Sequence, residues 1–336
     1  MLRRFTISLL TLALLCTTLL AGCKSSVSPY KRVDSFALGT FAQVTCRTEL
    51  PKEELTRLIA EIDAEAKASM SIFDESSIIS QINANKRDSL DHHIDFNLSL
   101  AKEFYALSNG YYDITVKPLT AAWGFAMKSE ELIEPNIDSL LQFVGLERIT
   151  IANRRLTKED ERIQFDLNSI AKGYVVDLVA QRLEELGIDN YMVNIGGEIR
   201  CKGINPRGGD WTIGIETPYD GNFAQQDIEK IVSLTDCAVA TSGNYRRFHI
   251  AEDGSKITHT INPKTGYTVN SDLLSATVIA PTCAEADAAA TMFMAMGSEA
   301  GALELARRCE EERSWGYYFI YADGESYRIE ASASLK

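Results

Sequence analysis

An α+β fold is what this sequence predicts, on three observations. Strand-like and helix-like stretches are mixed without a strict βαβ rhythm. A hydrophobic fraction of 45% over 336 residues is ample for a packed core. After the N-terminal leader no stretch is apolar enough to span a membrane, and no internal repeat or low-complexity linker interrupts the chain.

The leader comes first. Arg3 and Arg4 precede an almost unbroken apolar run that closes in Leu20-Ala21-Gly22-Cys23. A run this short, ending in small residues, predicts a signal peptide over 1–22. The terminal Cys23 resembles the lipobox of bacterial lipoproteins, in which the sulfur takes a diacylglycerol; an ordinary secretory leader with a chance Cys is the other reading. Residues 23–34 are then expected to be a lipid-anchored tether, polar at Lys24-Ser25-Ser26-Val27-Ser28-Pro29, and 35–336 the functional domain. Losing Arg3 and Arg4 with the leader takes the formal net charge from −13 to −15. So acidic a body argues against nucleic acid and against electrostatic membrane binding, and any anionic substrate would need a local cation.

Within the body, 41–47 alternates like a strand. Residues 53–68 predict a helix with Leu55, Leu58, Ile59 and Ile62 on one face. A second helix is expected over 96–108, stopped by Asn109-Gly110. A strand over 163–167 should lead into a helix over 169–186 that Gly187 closes. Strands are expected over 191–195, 211–216 and 273–280. A helix over 282–296, a second running to Cys309, and strands near 317–321 and 327–329 complete the chain. Cys46, Cys201, Cys237, Cys283 and Cys309 form no metal knuckle or CxxC pair and read as mostly buried small side chains.

Four local patterns carry chemistry. Thr282 and Glu285 make a Thr-x-x-Glu capping box, which places Asp287 and Thr291 one turn apart on an alanine-lined helix face. A carboxylate and a hydroxyl there suit a hard cation with open positions for phosphate oxygens, or simply the polar edge of a helix. In Asp166-Leu167-Asn168-Ser169-Ile170-Ala171-Lys172-Gly173-Tyr174 a strand turns into a helix. Its first amides and Lys172 offer an anion site, and Gly173 admits a ligand or another backbone. Asn194-Ile195-Gly196-Gly197-Glu198 reads as a tight turn, not a dinucleotide fingerprint. His259 precedes a rigid turn built by Pro263 and Gly266; on the residues alone it reads first as a structural histidine, with a catalytic role as the alternative. His92 and His93 lack context, and His249 sits in a strand. Lys172, Arg246, Arg247 and Lys264 all lie near glycine-containing loops. Aromatic clusters at Phe73, Tyr111, Tyr112 and Trp123-Gly124-Phe125 could sandwich a flat ring or fill a core.

The order of these blocks is more telling than any one of them. Leu38-Gly39-Thr40, Met70-Ser71-Ile72-Phe73, the stretches 110–119, 123–125 and 166–174, Gly196-Gly197-Glu198, the stretches 240–246 and 259–266, and Ala286 to Thr291 follow one another over roughly 35–296. That series resembles the ApbE family, the FAD:protein FMN transferases, many of which are lipoproteins. The resemblance implies mixed sheets with packed helices and a flavin site between two lobes. It assigns Mg²⁺ to Asp287, Thr291 and a backbone carbonyl at about Ser169. It assigns FAD contacts to Leu38, Phe73, Tyr111, Tyr112, Asp113, Asp166, Lys172 and Ile261, and the proton-accepting role to His259 beside Asp287 in the catalytic centre. Leu38 stands where Met is usual and Asn262 where Asp is commoner.

Elementary chemistry agrees with what the resemblance implies. Cleaving a pyrophosphate needs charge neutralisation more than covalent help. The expected reaction moves FMN from FAD to a Ser or Thr hydroxyl of an acceptor flavoprotein, such as a membrane redox-complex subunit, and releases AMP. Hydrolysis of FAD to FMN and AMP is the first alternative, and a lipoprotein that only binds flavin is the second. A lipid anchor on the periplasmic side of a bacterial membrane is the expected location.

Overall fold

A computed structural model describes residues 30–125, 135–219, 227–245, 247–251, 253–298 and 300–335; Cys23 and Arg246 lie outside the described residues. The fold is built on an eight-stranded sheet in the order β1-β2-β5-β6-β9-β12-β13-β14, every neighbouring pair antiparallel. Its strands are β1 (Tyr30–Ala37), β2 (Thr40–Arg47), β5 (Tyr191–Ile195), β6 (Glu198–Lys202), β9 (Cys237–Gly243), β12 (Leu273–Ala280), β13 (Gly316–Asp323) and β14 (Ser326–Ala331). Three two-stranded ribbons accompany it: β3 (Ile149–Ala152) with β4 (Arg155–Lys158), β7 (Trp211–Glu216) with β8 (Ile228–Leu234), and β10 (Phe248–Ile250) with β11 (Lys256–Thr258). Eight α-helices fall among the described residues: α1 (Lys52–Met70), α2 (Ile78–Asn83), α3 (His92–Leu107), α4 (Lys117–Ala122), α5 (Ile137–Leu141), α6 (Ala171–Glu185), α7 (Cys283–Met296) and α8 (Ala302–Arg313).

Strand alternation gives the sheet two apolar faces. Ala238 and Ala240 of β9, with Tyr317, Phe319 and Tyr321 of β13, face a large core shared with α1, α3, α6 and α7. The intervening Val239, Tyr318 and Ile320 face a smaller core under the β7–β8 ribbon. A third cluster joins Leu119, Trp123, Phe125, Ile137 and Ile261. Among the described residues no helix is long and apolar enough to cross a membrane.

The sequence-based elements reappear with shifted ends. Strand β1 begins at Tyr30 with Val33 and Ala37 buried, so the folded body reaches into the span expected as tether. Helix α3 starts four residues before the expected 96, because the Asp91 side chain accepts from Ile94 N at 2.9 Å and so caps the end at His92. The expected strand over 163–167 is not one. Gln164 makes a lone parallel bridge to Val116, and the Asn83 side-chain amide bonds both the N–H and the C=O of Phe165, at 2.7 and 2.9 Å. A side chain takes the place of a neighbouring strand, which hydrophobic periodicity cannot foresee. The five cysteines of the body are free, and all but Cys237 are buried.

Candidate functional site

The site is assembled around two helices that cap one another. Helix α6 starts after Ile170 with no side-chain cap of its own. Asp287, in the second turn of α7, accepts from Gly173 N through Oδ2 at 2.9 Å. In return Asp177 of α6 accepts from Cys283 N at 2.9 Å and Ala284 N at 2.8 Å, at the start of α7, and holds Arg200 at 2.7 Å. This exchange requires Gly173: a Cβ there would lie 2.2 Å from the Cys283 carbonyl oxygen. The glycine therefore serves another backbone, one of its two sequence-based readings. Thr282 caps α7 as its capping box predicts, accepting from Glu285 N at 3.3 Å.

Two cavities open beside this pair. The larger, about 650 Å³, is lined by Leu38, Phe73, Lys172, Glu198, Asp287 and neighbours. The smaller, about 130 Å³, is lined by Tyr111, Tyr112, Asp113, Asp166, Ser169, Ile261 and neighbours. Asn168, Ser242, Arg247, His259 and Thr291 border both. Every residue the sequence singled out for catalysis, substrate or metal inside the described region thus lines one cavity or both. Asn168, Ser242, Arg247 and Glu198 were not assigned to the site from sequence. Arg247 had signalled only as a basic residue near a glycine loop, and Glu198 only as part of a turn.

At the larger cavity, Leu38 and Gly39 form a two-residue hairpin turn between β1 and β2, with φ of 50° and 75°. A leucine in the left-handed region is strained. It is held there by Asp63 Oδ1, which accepts from Leu38 N at 2.7 Å. Phe73 is 64% exposed and stands at the rim. Lys172 donates from Nζ to Glu198 Oε1, so its charge reaches the cavity already paired. The start of α6 is likewise less open to an anion than its sequence suggests. Ala171 N bonds Leu167 O at 2.9 Å, Gly173 N bonds Asp287, and Tyr174 N bonds Ile170 O at 3.1 Å. The carbonyls of the preceding turn take the Ala171 and Tyr174 amides, and α7 takes that of Gly173.

At the smaller cavity, Tyr112 is buried with its hydroxyl 2.9 Å from Ser169 Oγ, and Lys264 Nζ lies 4.5 Å from the Tyr111 ring centre. The Asp113 carboxylate serves the fold: it accepts from Thr115 N at 2.7 Å, Thr115 Oγ1 at 2.6 Å and Leu146 N at 3.0 Å. Burial pushes it up to about 6 in spite of these bonds. Asp166 is also buried, accepts from Asn168 N and Thr120 Oγ1 at 3.0 Å each, and is raised by burial. Ile261 joins the third apolar cluster. In the turn that follows, Asn262 Oδ1 accepts from Lys264 N at 2.9 Å. An amide oxygen does this as well as a carboxylate, so the exchange of Asp for Asn leaves the turn intact.

His259 stands where the cavities meet. Its Nδ1 is 3.0 Å from the Arg247 carbonyl oxygen, an acceptor only, so Nδ1 carries the proton and Nε2 is the base. Its pKa is lowered to about 4, chiefly by desolvation, with the Arg247 and Lys172 charges lowering it as well and the Arg247 carbonyl bond opposing them. The ring is neutral at pH 7. His249, by contrast, stacks on Phe125 at 4.7 Å, and His93 bonds the Tyr174 hydroxyl at 3.0 Å.

The residues present fit a hard divalent ion. Asp287 is 3% exposed, and its carboxyl is raised chiefly by burial while Lys172 pulls it back. Such a carboxylate gains from a nearby cation. Thr291 lines both cavities with its Oγ1 3.2 Å from Ser242 Oγ, and Ser169 borders the smaller one. Among the described residues no group of three or more His, Cys, Asp or Glu could hold a metal. One carboxylate with nearby hydroxyl oxygens instead suits a hard cation such as Mg²⁺.

The fold and sequence have well-defined relatives. A profile of the ApbE family matches residues 38–313. A Haemophilus influenzae protein described as an FAD:protein FMN transferase is 33% identical over 304 residues, covering 87% of this chain and 84% of its own length. A Vibrio cholerae protein of the same description is 37% identical over 254 residues, 74% of each chain. The solved structure described as the flavin transferase ApbE from Vibrio cholerae superposes with a TM-score of 0.80 at 30% identity, covering 91% of this chain and 99% of that one.

Proposed function

The chain belongs to the ApbE family and is an FAD:protein FMN transferase, and from that premise we propose that it moves FMN to a Ser or Thr hydroxyl of an acceptor flavoprotein, Mg²⁺-dependently, with release of AMP. The observation that carries this reading is that Thr291 and His259 border both a larger and a smaller cavity, with Asp287 on the larger one beside them. A dinucleotide needs such a layout, with two ring pockets and polar groups between them. The larger cavity, walled by Leu38 and Phe73, suits the three-ring flavin. The narrow one behind Tyr111, Tyr112 and Ile261 suits the adenine. The diphosphate then crosses the junction, near Lys172.

Asp287, Thr291 and the Ser169 carbonyl would hold Mg²⁺, which when bound neutralises charge on the diphosphate oxygens. Lys172, positioned by Glu198, adds a further positive charge. His259 Nε2 takes the proton of the acceptor hydroxyl as its oxygen bonds to the FMN phosphorus. The bond from that phosphorus to the bridging oxygen breaks, and AMP leaves with the electron pair. The exposed Phe73 rim leaves the flavin side open to a protein.

Incubation with FAD, Mg²⁺ and an acceptor flavoprotein, followed by in-gel flavin fluorescence and AMP assay, tests the proposal. Fluorescent acceptor with stoichiometric AMP is expected. Free FMN without labelled protein would mark a hydrolase, and absence of AMP a binding protein. We further propose that Cys23 anchors the catalytic body to the extracytoplasmic face of a bacterial membrane; palmitate labelling that persists in Cys23→Ala would refute it.

A further inference from the structure

Glu198 is a buried charge whose second oxygen has no role in the reaction just described. It begins β6, lines the larger cavity and is only 3% exposed. Its Oε1 accepts from Lys172 Nζ, whereas Oε2 is enclosed and has no hydrogen-bond partner among the described residues. A carboxylate offers about four lone-pair sites, and an unpaired buried one is strongly unfavourable unless a ligand completes it. The backbone holds the group there. Gly196 and Gly197 turn with φ of 66° and 109°, and Gly197 N donates to Asn194 Oδ1 at 3.0 Å. A Cβ on Gly196 would stand 2.8 Å from Thr40 Cγ2, so the glycine lets this turn pack closely against the start of β2 and hold Glu198 in place.

We infer that Glu198 is a substrate-binding residue whose Oε2 accepts a hydrogen bond from a sugar-type hydroxyl of FAD, while Oε1 keeps the Lys172 ammonium beside the diphosphate. Lys172 already supplies the counter-charge, so the second oxygen lacks a neutral donor rather than a cation. The groups on both sides of the FAD diphosphate carry such donors: ribityl hydroxyls toward the flavin and ribose hydroxyls toward the adenine. Carboxylates take this role for ribose in other nucleotide sites. The inference rests on the placement of the diphosphate at the junction of the two cavities.

Phosphate-free probes isolate this contact from Lys172. Riboflavin and lumiflavin share a ring system but only riboflavin has the ribityl chain; adenosine and adenine differ likewise by ribose. Each is titrated against the intact protein, Glu198→Ala and Glu198→Gln, with thermal midpoints recorded alongside. The proposal expects the ratio of riboflavin to lumiflavin dissociation constants, or of adenosine to adenine, to rise about tenfold or more in Glu198→Ala. The first pair would identify the ribityl chain as source and the second the ribose. Glu198→Gln preserves volume and a neutral acceptor, so a smaller rise is expected there, and it remains informative should the alanine variant not fold. Unchanged ratios in both pairs overturn the proposal. Lost Mg²⁺ affinity with unchanged ratios overturns it too, in favour of a cation on Oε2. An intact protein that binds neither FAD nor riboflavin nor adenosine removes the placement of the substrate itself, and the proposal with it.

Discussion

At the scale of single residues, His259 and Leu38 show how position changes chemistry. The His259 ring sits near pKa 4 in the free protein and near 6.5 when unfolded. The unfolded chain therefore binds more protons between those values, and the group's contribution to stability falls as pH drops from about 6.5 to 4. Replacing His259 with Ala is expected to flatten that part of the stability–pH profile in denaturant titrations. The same variant should lower transfer by about 10²–10⁴ while FAD and Mg²⁺ binding persist; an unaffected rate would show that another group takes the proton. Leu38, strained at φ 50°, points the other way. Leu38→Asn should raise the thermal midpoint by relieving about 1 kcal/mol of strain and should weaken FAD binding, because the cavity loses an apolar wall. Leu38 could be placed in the site by its resemblance to the family, but its backbone strain was not legible, since nothing in Leu-Gly-Thr dictates a positive φ.

At the scale of elements, the α6–α7 pair decides whether a site exists. Gly173→Ala must push Cys283 O away from 2.2 Å, and a loss of about 3 kcal/mol in unfolding free energy is expected with loss of FAD binding. Full stability in that variant would mean the helices do not approach as described. Asp287→Ala should nearly abolish turnover, and more than it weakens flavin affinity, because charge neutralisation acts mainly on the transition state. Equal turnover would refute the metal assignment. Much of this was readable beforehand. The Thr282–Glu285 box marks the start of α7, and the one-turn spacing of Asp287 and Thr291 puts both on one face. The partnership was not readable: Gly173 and Asp287 lie 114 residues apart and meet through one backbone amide. Nor could periodicity distinguish a strand over 163–167 from a segment that Asn83 holds by its side chain.

Across the whole molecule, the site is a junction of distant segments: the β1–β2 turn, the end of α1, the start of α6, the β5–β6 turn and the middle of α7. A ligand that ties them together should stabilise the molecule as a unit. Saturating Mg²⁺ with FAD, at about a hundredfold over dissociation, is expected to add about 2.7 kcal/mol to the protein and far less to Asp287→Ala, as read by thermal unfolding. An equal shift in both proteins would place the ion elsewhere.

The sequence by itself determined the fold class, the faces of the long helices and the N-terminal cap of α7, because propensity, capping and periodicity act over a few residues; the order of its motifs pointed to the side chains that line the two cavities. Only the tertiary structure decided that Lys172 answers to Glu198, that Asp113 serves the backbone, and that the Arg247 carbonyl sets the His259 tautomer. Those are contacts through space between segments far apart in the chain. Their strength depends on burial and direction, which a linear order of residues does not contain.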